Sequence, residues 1–151
     1  MALKEQIQND IKAALLGGNR FEGDVLRNLK AAILNEEVAQ NRRDEGLDDA
    51  EIEKIIAREV KKRGESIVLF EKNDRQDLAD IEKKELAVIS IYLPKQLSEE
   101  EVRELAKAVL EDVDTSTPSA MGQAIGAVKA KVGNSADGAT IARVVKELFN
   151  S

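Results

Sequence analysis

Apolar residues recur every three or four positions along the whole chain, and no segment sustains the period-two alternation of a strand. This rhythm constrains the fold more than any other feature, because a 3.6-residue stripe is buried only when one helix lies on another. Leu3, Ile7, Ile11, Ala14 and Leu15 form the first stripe, and Gly17-Gly18-Asn19 stops it, since glycine tolerates the left-handed turn that ends a helix. A second helix is expected from about Phe21, with Val25, Leu29, Ala32 and Ile33 on one face. It is expected to end near Arg42-Arg43, where basic residues suit the helix dipole. Asp44-Glu45-Gly46-Leu47-Asp48-Asp49 lacks the alternating ligands of a calcium loop. Asp48 with Glu51 reads instead as an N-cap followed by an acid at N3, preceded by Leu47 as a staple. The third helix carries Ile52, Ile55, Ile56, Val60, Ile67 and Phe70 to about Lys72, with Asn73 as a left-handed cap. Gly64 interrupts it at a cost of ~1 kcal/mol relative to alanine. A fourth helix is expected from about Gln76 to Leu93, with Leu78, Ile81, Val88, Ile89 and Tyr92 inward. Val88–Tyr92 could pass for a short strand, but the long amphipathic stretch around it argues for helix. Pro94 disfavours helix at Leu93, so a domain boundary is placed there.

After the linker Lys95-Gln96-Leu97, Ser98-Glu99-Glu100-Glu101 has the form of a capping box, followed by the stripe Val102, Leu105, Ala106, Val109 and Val113. Thr117 is expected to cap the next helix, with Pro118 in its first turn, and that helix runs to about Val132. Gly133-Asn134-Ser135 reads as a turn, and Asp137 as the cap of a last helix carrying Ile141, Val144, Val145 and Leu148. The fold class is therefore all-α: a four-helix N-terminal unit over residues 1–94, then a three-helix C-terminal unit over residues 98–151.

Composition removes most catalytic chemistry. The chain has no cysteine and no histidine, so disulfides, cysteine metal sites and a Ser-His-Asp triad are excluded, as are the common zinc ligand sets. No phosphate loop or dinucleotide fingerprint occurs. A carboxylate-only magnesium site is left open, but no catalytic residue, metal ligand or cofactor is assigned. The longest apolar runs are too short to span a bilayer, and Met1-Ala2-Leu3-Lys4-Glu5-Gln6 lacks a signal-peptide core. A cytoplasmic, non-membrane protein is the expectation.

The formal net charge is −6, which by itself disfavours a polyanion partner. The distribution is uneven. Gln96–Asp114 holds seven acids against two bases, whereas the segment from Thr115 onward holds Lys129, Lys131, Arg143 and Lys146 against Asp137 and Glu147. These four cations are candidates for phosphate contacts, the alternative being a solvated polar face. Gly122 and Gly126 lie four apart on one helix face, and small residues at that spacing let another backbone approach, whether a neighbouring helix or a nucleic-acid strand. Gly138 opens a helix whose first amides can hold a phosphate, unless Asp137 occupies them as N-cap. In the first unit Arg58, Lys61, Lys62 and Arg63 cluster, with Glu59 at salt-bridge spacing from Lys62 and Arg63. The four aromatics, Phe21, Phe70, Tyr92 and Phe149, form no base-stacking platform.

The segment Met121-Gly122-Gln123-Ala124-Ile125-Gly126-Ala127-Val128-Lys129-Ala130-Lys131, with Ser135-Ala136-Asp137-Gly138 and Val144-Val145-Lys146-Glu147-Leu148, resembles the C-terminal motif of the YqeY family. It is also similar to the tail domain of GatB, the B subunit of the glutamine-dependent tRNA amidotransferase. Asn35-Glu36-Glu37, Arg58–Arg63 and Tyr92–Ser98 extend the resemblance to YqeY over essentially the whole chain. It implies a link to tRNA and to carbon–nitrogen ligation with glutamine as amide donor, without implying that this chain performs the reaction. Gly133, Ser135 and Gln123 stand where the family tends to carry lysine, arginine and lysine. Three fewer phosphate contacts, at a log–log salt slope of roughly −0.9 each, predict weaker and less salt-sensitive RNA binding. The expected function is a non-catalytic module that binds tRNA through its C-terminal unit. The alternative is an interaction module docking an amidotransferase subunit or an aminoacyl-tRNA synthetase. The sequence leaves the oligomeric state open.

Overall fold

A computed structural model gives the fold, and it describes residues 2–150. Met1 and Ser151, at the outer limits of the two expected domains, lie outside the described residues. Among these residues the protein is all-α, with seven α-helices and no strand. The chain divides into two compact units, Met1–Leu93 and Pro94–Ser151.

The first unit holds α1 (Leu3–Leu16), α2 (Arg20–Ala39), α3 (Asp49–Lys72) and α4 (Gln76–Ser90). α1 pairs with α2 and α3 with α4 as helical hairpins, and α2 also lies against α4. Leu3, Ile7 and Ile11, Val25, Leu26, Leu29 and Ile33, Ile52, Ile55 and Ile56, and Ile89 and Tyr92 close one aliphatic core. The expected stripes supply these buried residues, except that Leu15, expected on the α1 stripe, is 41% exposed. Beyond Ile56 the α3/α4 hairpin thins out. Leu78 is half-buried, Ala79 takes the fully buried position, and Ile81, expected to face inward, is 48% exposed.

Three helices of this unit end in the same way. The residue after the C-cap turns left-handed, and two amides reach back to the last turn. At α1 that residue is Gly18, with φ +76°, and the amides of Gly18 and Asn19 donate to Leu15 and Ala14 at 3.3 and 2.8 Å. At α2 it is Asn41, with φ +56°, and the amides of Asn41 and Arg42 donate to Val38 and Glu37 at 3.0 and 2.7 Å. This ends α2 at Ala39, three residues before the expected Arg42, and turns Arg42 into a loop residue. At α3 the left-handed residue is Asp74, one after the expected Asn73. The short polar side chains of Asn and Asp tolerate this conformation. α4 stops at Ser90 rather than Leu93, where the Ser90 hydroxyl donates to the Leu86 carbonyl at 2.6 Å and competes with the helix ladder. Tyr92 then turns inward, its hydroxyl 2.5 Å from the Asp10 carboxylate. Burial and that carboxylate both push the phenol above its ordinary pKa.

The α2–α3 loop is held by an internal clamp. Glu37 is fully buried, yet it falls four residues after Ile33 on the apolar face of α2. Its carboxylate accepts from the Lys4 ammonium at 2.8 and 2.9 Å and from the Leu47 amide at 3.0 Å. Burial raises its pKa, but the Lys4 and Leu47 bonds and the charges of Lys4 and Arg42 outweigh that, leaving it below the ordinary value. Gly46 approaches so closely that a Cβ there would stand 3.2 Å from the Glu37 carboxylate, and its φ is +77°. Arg42 adds bonds to Glu51, Glu45 and the Gly46 carbonyl. Asp48 and Glu51 form the expected capping box, and Leu47 joins the core beside Ile52.

The second unit holds α5 (Glu99–Glu111), α6 (Ala120–Val132) and α7 (Gly138–Phe149), each packed on the other two. Its buried residues are aliphatic, Val102, Ala106 and Val109, Ala124, Val128 and Val132, Ile141, Val144 and Val145, with the partly buried Met121 and Phe149 packed against them. Asp137 caps α7 as expected, accepting the amide of Thr140. Ser98 caps α5 by accepting the amide of Glu101, but the return bond from Glu101 that would complete the expected capping box is not formed among the described residues. Thr117 and Pro118 do not start α6. Its first residue is Ala120, and the Thr117 hydroxyl donates to the Asp114 carbonyl at 3.3 Å instead.

Candidate nucleic-acid interface

α6 buries Ala120, Ala124, Val128 and Val132, one residue every four. A step of two residues rotates about 200° around a helix, so Gly122 and Gly126 fall on the far side and are exposed. A Cβ added at either glycine would meet nothing within 4 Å. The small residues therefore do not serve packing against α5 or α7. The neighbouring-helix alternative is set aside, because the core of the unit lies on the opposite face.

Lys129 follows Gly126 by three residues, on the same side of α6. Its Cε and Nζ lie 3.5 Å from where a Cβ would stand at Gly138, so the ammonium sits over the first residue of α7. The Asp137 carboxylate already accepts the Thr140 amide there at 2.8 Å. What remains at this helix start is a lysine beside a capped N-terminus. Lys131, two residues on from Lys129, points to the other side of α6. The two lysines do not face one surface, although their nearness in sequence suggests it.

Arg143 is engaged elsewhere. Its guanidinium lies 2.5 Å from Glu99 and 3.7 Å from Glu147, while Arg103 lies 2.6 Å from Glu147 and 3.5 Å from Glu99. The four groups form a closed ring of alternating charge across α5 and α7. The bond from Arg143 holds the Glu99 carboxyl below its ordinary pKa, and the same bond raises Arg143. Arg143 is thus paired with Glu99 from α5, the acidic segment, and with Glu147 on its own helix. Lys129, Lys131 and Lys146 are exposed and have no ion pair among the described residues.

No group of three or more carboxylates among the described residues is placed to hold a metal ion. No helix among them is long and apolar enough to cross a membrane. The Glu37–Lys4–Gly46 clamp was not foreseen, although an acid on the i, i+4 row after Ile33 was its visible signal. In the basic cluster of the first unit one of the two expected pairs forms. Glu59 pairs with Arg63 at 2.9 Å rather than with Lys62.

Comparison with known proteins gives relatives of modest identity. The protein is 30% identical over 114 residues to altered inheritance of mitochondria protein 41, mitochondrial, of Clavispora lusitaniae, covering 74% of this chain and 65% of the relative. The Kluyveromyces lactis protein of the same name is 30% identical over 116 residues, covering 75% of this chain and 61% of the relative. That of Eremothecium gossypii is 32% identical over 112 residues, covering 73% and 60%. The matched region thus spans less than two thirds of the length of these relatives. Residues 4–149 match the family described as Yqey-like protein, and the chain belongs to that family.

Proposed function

We propose that the protein is a non-catalytic helical module that associates with tRNA through its C-terminal unit. The observation that carries this reading is the outer face of α6. Two exposed glycines sit on α6, Gly122 in its first turn and Gly126 in its interior, where glycine costs roughly 1 kcal/mol relative to alanine, and a Cβ at either would meet nothing within 4 Å. A residue that breaks a local rule without an internal compensation marks a place where something else comes close. The Lys129 ammonium beside that face supplies the charge a phosphate backbone needs, and Lys146 adds a second unpaired cation on α7. The resemblance of residues 121–148 to the amidotransferase tail domain names tRNA as the polymer. The Arg143 ring removes one of the four expected cations, so the binding is weak and moderately salt-dependent.

The test is affinity of the full chain for total tRNA at low and physiological salt, beside a Gly122→Ala/Gly126→Ala variant and a Lys129→Glu variant. The reading expects micromolar binding at low salt that both variants weaken. Wild-type binding that neither change alters would remove α6 as the interface.

A second reading, a protein-docking module, draws on α2. Ala31, Leu34 and Val38 follow one another at i, i+3 and i+7 on an exposed face, with Leu34 41% and Val38 57% exposed. A stable complex with an amidotransferase subunit or an aminoacyl-tRNA synthetase, insensitive to salt, would favour it.

A further inference from the structure

The outward face of α3 carries a cationic row that the C-terminal reading does not use. Lys54, Arg58, Lys61 and Lys62 occupy i, i+4, i+7 and i+8, the spacing of a single helix face, and all four are exposed. Lys54 and Lys61 lie away from Ile52, Ile55 and Ile56, which bind α3 to the core, while Arg58 and Lys62 flank the Ile55 side, and the row runs over about 12 Å of helix. The acids nearest in sequence are occupied elsewhere. Glu51 bonds Arg42 at 2.5 Å and the Asp48 amide at 2.9 Å, and Glu59 turns to the half-buried Arg63. Arg58 has one partner, the half-buried Glu36 on α2, at 3.6 Å. Lys54, Lys61 and Lys62 have no ion pair among the described residues. Glu65 ends the row, and the exposed apolar residues Val68 and Leu69 come only after it.

We propose that this face of α3 is a second phosphate-binding surface, and that its occupant is the backbone of an RNA strand. Three of these four charges have no ion pair among the described residues, on a protein of net charge −6. The row itself offers no exposed large apolar or aromatic anchor of the kind that dominates protein interfaces. A mainly cationic face gains affinity for a polyanion from counterion release. The inference takes its ligand, RNA, from the proposed function, but it stands on different residues and fails separately.

The experiment measures full-chain binding to labelled total tRNA across a salt series, with Lys61→Gln/Lys62→Gln and Lys61→Glu/Lys62→Glu variants beside Lys129→Glu. Both α3 lysines are exposed and ion-pair-free, so helix content and Tm should match wild type. The glutamine pair keeps the test valid if charge reversal perturbs folding. Each lost phosphate contact lowers the log–log salt slope by roughly 0.9, so the glutamine pair should flatten it by about 2 and cost about tenfold or more at low salt. Wild-type binding with unchanged affinity and slope in both α3 variants overturns the inference and leaves the α6 reading intact. Loss in the α3 variants with Lys129→Glu unaffected supports it and moves the interface away from the C-terminal unit. No tRNA binding by wild type at low salt overturns it. So does capture by phosphatidylserine vesicles that depends on Lys61 and Lys62 while tRNA is ignored, since the face would then recognise an anionic lipid surface.

Discussion

The Glu37 clamp of the N-terminal unit and the α6 glycines of the C-terminal unit treat unusual residues in opposite ways, whereas Gly64 within α3 resembles the α6 glycines, an added Cβ there meeting nothing within 4 Å. The N-terminal unit buries a carboxylate, Glu37, and places Gly46 in a left-handed turn against it, and both are answered from within by Lys4 and the Leu47 amide. The C-terminal unit has an aliphatic core with no buried polar side chain among the described residues. Its irregular residues, Gly122 and Gly126, lie outside and are answered by nothing in the chain. A rule broken and repaired internally is structural, because the repair is the reason for the residue. A rule broken at the surface without repair keeps its cost in the isolated protein, and that is where an external partner has something to gain.

This contrast can be broken by mutation. Glu37→Ala leaves the Leu47 amide buried without an acceptor and frees Lys4, and is expected to cost about 3 kcal/mol in urea unfolding. Loss of less than about 1 kcal/mol would mean that the clamp is dispensable. Gly46→Ala forces a side chain into positive φ and into the Glu37 carboxylate, for about 2 kcal/mol of destabilisation. Gly122→Ala and Gly126→Ala should have the opposite sign, each stabilising by about 0.5–1 kcal/mol. Equal signs for Gly46→Ala and the two α6 changes would dissolve the distinction. The smallest effect belongs to Arg143→Ala, which breaks an exposed ring and should leave Tm nearly unchanged at physiological salt.

Acid sharpens the same comparison. The Glu37 pKa lies below its ordinary 4.5 in the native state, so the unfolded chain takes up that proton more readily. Its contribution is complete above the unfolded value and is lost as pH falls through the lower native value. Unfolding free energies followed from neutral pH downward should fall more steeply for wild type than for Glu37→Gln. Parallel curves would show that Glu37 titrates alike in both states.

Helix content was legible because its determinants are local. The 3.6-residue stripes, the Asp48–Glu51 box and the caps at Ser98 and Asp137 each act within one turn of chain. The ends of α2 and α3 were less legible. Their left-handed residues are Asn41 and Asp74 rather than glycine, and an Asn or Asp is common in many other contexts. Of the candidate interface, the position of Gly122 and Gly126 on one helix face was readable, but not whether that face is covered.

By itself, then, the sequence determined an all-α chain, the stripes that build its cores, and the chemistry it lacks for want of histidine and cysteine. Only the tertiary structure decided which polar residues are free to bind. Lys4 reaches Glu37 across 33 positions, and Arg143 reaches Glu99 across 44. Such pairs depend on which helices become neighbours, which no local pattern specifies. Burial is likewise a property of the whole fold, so it took the packed helices to show that the α6 glycines face outward while Gly46 faces in.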